Sequence, residues 1–149
     1  LDFYTFTIPA GVTNIGDYLS IRSSAGTIND TEFALYDSLG NFVATDDDGA
    51  LGASGTFYSQ FSWGTADPFA TPGVTPDETN PGETGATLAG GTYTLVVAGY
   101  NSVFGATIGA ITPGTAVGTY NLDITYNVPA PGALALLGLG GLVAGRRRR

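Results

Sequence analysis

Three carboxylates stand on consecutive residues in Asp46-Asp47-Asp48-Gly49, and Asp30, Glu32 and Asp37 lie one predicted hairpin away. Adjacent carboxylates repel one another unless solvent or a cation screens them, and a hard Ca²⁺ ion takes six to eight oxygens at about 2.3–2.6 Å. Asp30, Asp46, Asp47 and Asp48 are therefore candidate calcium ligands. The spacing is not that of an EF-hand loop, and a solvated acidic turn accounts for the same run. Sugar could be attached at two places. Asn29-Asp30-Thr31 meets the N-x-[ST] sequon, and Thr71, Thr75 and Thr79 fall in a Thr/Pro-rich stretch whose composition suits O-glycosylation. Tyr58, Phe61, Trp63 and Tyr100 could present an aromatic platform to a sugar, and core packing explains the same four residues.

Catalysis is poorly supplied. The chain has no His and no Cys, which removes imidazole-assisted nucleophiles and the usual zinc site. A glycosidase-type carboxylate pair remains formally open. The acids cluster in turns, however, and so small a domain suggests no deep cleft, so a non-enzyme is expected. Charge narrows the partners further. All 13 acids lie at or before Asp123, while the only base before the tail is Arg22. A body without a Lys/Arg surface does not bind nucleic acid. Such an acidic body suits an extracellular setting where divalent ions bridge carboxylates. The first residue is Leu1 and Met is absent, which suggests removal of a signal peptide.

These residues need a scaffold, and period-2 alternation predicts one. Strands are expected over 2–8, with Tyr4, Phe6 and Ile8 on one face, and over 17–22, 32–36, 41–45, 56–63, 91–100 and 119–126. Asp37-Ser38-Leu39-Gly40 reads as a hairpin connection. Residues 64–86 read as a long insertion, and 101–118 as an edge hairpin or contact surface. The expected fold is all-β: a jelly-roll-like antiparallel sandwich of about seven to nine strands over residues 1–127.

The run Asp30-Thr31-Glu32-Phe33-Ala34-Leu35-Tyr36-Asp37, continuing through Gly40 to Asp46-Asp47-Asp48-Gly49, resembles the core signature of bacterial pre-peptidase C-terminal domains. Gly91-Thr92-Tyr93-Thr94-Leu95-Val96-Val97 and the later Gly118 to Ile124 strand resemble the segments that follow it there. The resemblance implies a small jelly-roll accessory module, some of which bind calcium or polymers. Residues 64–86 and 101–117 depart from the pattern.

The end of the chain carries a separate signal. Val128-Pro129-Ala130-Pro131-Gly132 precedes an apolar run, Ala133 to Ala144, containing Leu134, Leu136, Leu137, Leu139, Gly141 and Leu142. Gly145 and then Arg146, Arg147, Arg148 and Arg149 close it. This order resembles the PEP-CTERM sorting signal read by exosortases in Gram-negative bacteria, with Ala130 where the name-giving Glu stands. The resemblance implies passage through the inner membrane and a secreted, cell-surface destination. The apolar run is expected to be a short helix, only about 18 Å long at ~1.5 Å per residue, against a bilayer core of ~30 Å. Gly141 to Gly145 forms a G-x-x-x-G step that permits close helix approach. Shielding a dozen apolar residues from water is worth on the order of 10 kcal/mol before entropy costs, enough for subunit association. Three roles are thus open. The first is a structural subunit whose copies join through the tail into a helical or head-to-tail homopolymer. The second is a sorted surface protein whose sandwich binds polysaccharide or calcium, and the third an accessory of a secreted hydrolase.

Overall fold

A computed structural model of the chain describes residues 1–13, 16–50, 57–64, 68 and 87–127. Alternation produces β1 (Asp2–Ile8), β2 (Tyr18–Gly26), β3 (Thr31–Asp37), β4 (Phe42–Asp46), β5 (Gln60–Trp63), β6 (Gly91–Gly99) and β7 (Tyr120–Asn127). They form two antiparallel sheets, ordered β1-β6-β3-β4 and β5-β2-β7. Among the described residues every regular element is a strand. The expected C-terminal helix, and the whole tail from 128, lie outside the described residues, as do residues 65–67 and 69–86 of the long insertion.

Two strands differ from expectation. β2 runs on to Gly26, because Ser23 and Ser24 continue the ladder with β7 and a bulge then brings Gly26 opposite Tyr120. Gly26 has φ +140°, and a Cβ there would strike the Thr119 backbone. β5 begins only at Gln60, because Phe57 and Tyr58 pair away from β2, in isolated bridges with Asp30 and Ala50.

The core lies between the sheets. Phe33, Leu35, Tyr93, Leu95 and Val97 of one sheet meet Leu19, Ile21, Phe61 and Trp63 of the other, all buried. Phe33 packs on Phe61 with ring centroids 5.7 Å apart, and Phe61 on Trp63 at 5.1 Å. Such aromatic pairs contribute about 0.5–1.5 kcal/mol each beyond the area they bury. At one edge Tyr120 Oη of β7 donates to Asp2 Oδ2 at 2.7 Å and lies 2.9 Å from the Tyr4 hydroxyl, joining the sheets through β1. Burial first, and these two partners next, push the Tyr120 phenol well above its ordinary pKa.

Residues 101–118 are a cover. Phe104, Ile108 and Ile111 pack on Ala34, Tyr36 and Val96, which point away from the main core. The segment is pinned at its start by Glu32, whose carboxylate accepts from the Asn101 and Ser102 amides at 2.7 and 2.8 Å. Val103 and Thr112 exchange two backbone hydrogen bonds at 2.8 and 2.9 Å. The stretch makes isolated bridges and no strand; besides covering the sheet face it reaches the edge strand β4 and its turn, where the Phe42 amide donates to the Ala106 carbonyl (3.1 Å) and the Ile108 amide to the Gly40 carbonyl (2.9 Å).

The β3–β4 hairpin is shaped by one side chain. Asp37 Oδ1 accepts from the amides of Leu39 (2.9 Å) and Asn41 (2.8 Å), and Oδ2 from Asn41 Nδ2 (2.9 Å). Gly40 supplies the positive φ of 78°. The bonds from the Asn41 side chain and backbone hold the Asp37 carboxyl below the usual carboxylate range. A depressed folded pKa contributes stability that is present above the unfolded value of 3.8 and is lost as pH falls through the folded one. The Tm difference between wild type and Asp37→Asn should therefore stay constant from about pH 7 to pH 5 and narrow below pH ~4, which a calorimetric pH series measures.

Candidate functional site

Two connections meet at one end of the sandwich. After β2 the chain turns through Ile28, Asn29 and Asp30, and after β4 it turns through Asp47, Asp48 and Gly49. Residues 57–59 lace them together. The Phe57 amide donates to the Asn29 carbonyl (2.7 Å), that of Thr31 to the Phe57 carbonyl (2.9 Å) and that of Ala50 to the Tyr58 carbonyl (2.8 Å). Beneath them lies a buried hydroxyl cluster. Ser23 Oγ and Thr31 Oγ1 are 2.6 Å apart, and the Ser59 amide lies 3.0 Å from the first and 3.2 Å from the second. The Ser59 hydroxyl bonds the Thr31 carbonyl and reaches the Asp47 carbonyl at 2.8 Å. Strand alternation alone cannot place a polar residue such as Ser59 inside. It stays there because every buried polar group needs a partner, and these residues supply one another.

This lacing brings Asp30, Asp47 and Asp48 together. One carboxylate oxygen from each lies within 4.8 Å of the other two. Ligands at about 2.3–2.6 Å from one calcium ion are at most about 5 Å apart, so the three oxygens fit one ion. Asp30 Oδ1 is buried without a hydrogen-bond partner among the described residues. Burial first, and the charge of Asp48 second, push the Asp30 carboxyl above its ordinary pKa. Both effects are those a bound cation reverses.

Asp46 stands apart from that trio. It is fully buried, and its Oδ2 accepts from the amides of Gly49 (3.0 Å) and Gln60 (2.7 Å). It holds the acidic turn against β5. A Cβ on Gly49 would collide with this carboxylate, which explains the glycine closing the acidic run. Side-chain direction within Asp46-Asp47-Asp48 was hidden from a sequence reading, because β4 ends at Asp46 and alternation stops there.

The remaining candidates separate. Phe61 and Trp63 are core residues and Tyr58 is buried, so only Tyr100 of the aromatic set, half exposed, could meet a sugar face. Asn29 is exposed, but Thr31 of its sequon is fully buried in the hydroxyl cluster. Thr71, Thr75 and Thr79 lie outside the described residues. So do Val128, Pro129, Pro131, Leu134, Leu136, Leu137, Leu139, Gly141, Leu142, Gly145, Arg146 and Arg147.

The comparisons bear on this end of the chain. Residues 127–149 match the PEP-CTERM protein-sorting motif. No curated protein and no solved structure matches the chain. The motif indicates exosortase-dependent sorting at the membrane, towards the bacterial cell surface or exterior.

The division among the acids is measurable. Asp46→Ala strands two buried amides and should cost on the order of 2 kcal/mol or more in urea unfolding, with or without calcium.

Proposed function

We propose that this chain is a non-catalytic protein of the bacterial surface, delivered by its tail, whose body is a jelly-roll sandwich of the pre-peptidase C-terminal type stabilised by calcium. The observation that carries the reading is the convergence of Asp30, Asp47 and Asp48 on one point in a chain whose tail is an export signal. Exported proteins meet free calcium at concentrations that weak extracellular sites can use, about 10⁻⁴–10⁻³ M. The ion would tie the β2–β3 connection to the β4–β5 connection, doing by coordination what a disulfide does elsewhere; the chain has no Cys.

Calcium at a hundredfold excess over its Kd should stabilise the folded chain by about 2.7 kcal/mol, read as a rise in Tm over chelator-treated protein. The rise should vanish in Asp48→Asn and in Asp30→Asn. An equal rise in both variants would place the ion elsewhere.

Assembly of copies into a filament or matrix layer is the second reading, and one observation favours it. Leu122 faces the core and packs against it, yet Ile124 and Tyr126, two and four residues on along the same strand face, are exposed at 38% and 69%. Apolar surface is thus left open where β7 leads into the tail. Removing residues 128–149 should then leave a folded monomer and abolish polymers in electron micrographs, and polymers persisting without the tail would refute assembly through it.

A further inference from the structure

One side of the sandwich is left open. β7 ends its sheet and, among the described residues, pairs with β2 alone, from Asn121 to Asn127 without a register shift. The side chains it shares with the core face of β2 lose their cover on β7. Ile21 and Leu19 are 0% and 1% exposed, whereas Ile124 and Tyr126, their partners across the ladder, are 38% and 69% exposed. The edge strand of the other sheet, β1, meets β7 at its opposite end, where the Tyr4 and Tyr120 hydroxyls lie 2.9 Å apart. On the second face of β7, Asn121, Asp123 and Asn127 are exposed as well. The edge at β4 is treated differently, being strapped by hydrogen bonds from residues 106–108. β7 carries few of the devices that usually blunt an edge. Residues 120–127 include no Pro and no Lys, and their one charge, Asp123, stands on the outer face across the ladder from Arg22.

We propose that β7 is the pairing edge for a second copy of this chain, so that two three-stranded sheets join antiparallel, β7 to β7, into one continuous sheet. A free edge presents a row of main-chain donors and acceptors, and another extended strand satisfies them. The strand is complementary to itself. Centred on Ile124, the antiparallel pair sets Ile124 opposite its counterpart, Leu122 opposite Tyr126 of the second copy, and Asp123 opposite Thr125, each pair on a common face. Apolar side chains left exposed in one copy are then covered by those of the other. Centred one residue earlier, the same pairing sets Asp123 against Asp123. Like charges directly opposite are destabilising, so charge selects the register. A two-fold contact of this kind closes on itself as a dimer. It goes beyond the readings above and requires neither calcium nor the tail. Each copy carries a net charge of −8, so the approach of two copies is opposed by a repulsion that salt screens.

The test is sedimentation equilibrium of the full chain in chelator, at low salt and in about 0.5 M NaCl. A reversible monomer–dimer equilibrium is expected, several-fold tighter at the higher salt. Ile124→Lys and Tyr126→Lys place a charge on the inner side of the edge, and each should weaken the dimer by about tenfold or more. Both positions are exposed, so each variant should melt within a few degrees of wild type. In a mixture of ¹³C-labelled and unlabelled wild type, filtered NOEs should join Leu122 of one copy to Tyr126 of the other. A monomer at both salt concentrations, which would leave the edge to a strand of another protein, overturns the proposal. Association that neither variant weakens overturns it too, because that contact lies elsewhere, the tail included. Intermolecular NOEs confined to other residues would do the same. Calcium binding and surface delivery are read by the separate measurements above, so a failure here leaves those readings standing.

Discussion

The two sheets are joined chiefly by the aromatic and aliphatic seam between them, and the remainder of the molecule depends on that contact. With no cysteine, no disulfide can hold one sheet to the other. Phe33 on β3 and Phe61 on β5 meet across the interface, and Trp63 extends the packing along β5. β5 is only four residues long, and two of those four, Phe61 and Trp63, are rings buried in the seam. The register of β5 on β2, Phe61 opposite Ile21 and Trp63 opposite Leu19, keeps those rings inward. A one-residue slip would turn them to the opposite face and bring Ser62 and Gln60 into the seam.

That inward commitment determines what the connections can do. Once Phe61 is in the seam, Ser59 and Gln60 are drawn to the end of the sandwich, where the first meets Thr31 and Ser23 and the second meets Asp46. The polar cluster is thus a consequence of the apolar one: buried backbone and hydroxyl groups at the end of a short strand are satisfied by side chains from neighbouring turns. Asp30, Asp47 and Asp48 project from the top of the same arrangement. Asp46 anchors the turn that presents two of them, which separates a carboxylate that accepts from the Gly49 and Gln60 amides from three whose oxygens converge.

The body and tail divide the chemistry of the chain. Acids occupy the body and four of the five arginines occupy the last four positions, so charge changes sign across an apolar run. A sorting signal is read while the chain engages a membrane, and it works through its linear order of proline motif, apolar run and basic end. The outer face of β5-β2-β7 and the acidic end of the sandwich are built from residues distant in sequence, Ser20 with Thr125 and Asp30 with Asp47, that only folding brings together.

Alternation with period two was enough to locate the seven strands of the described residues, because one face of each must be apolar to enter the seam, and the Asp37–Gly40 turn was legible from its residue types. The sorting motif was legible for a related reason: it is a local pattern, complete without a fold. What the tertiary structure decided is how side chains are assigned where alternation ends. It buried Trp63 and Phe61, which composition could have placed at a sugar site, and turned residues 101–118 into a cover over Tyr36. It took Asp46 out of the acidic cluster and left Ile124 and Tyr126 exposed on an edge strand. A single strand reports which residues share a face, but not which face meets the other sheet or which turns meet one another. Those depend on contacts between residues as far apart as Tyr4 and Tyr120, and no local pattern encodes them.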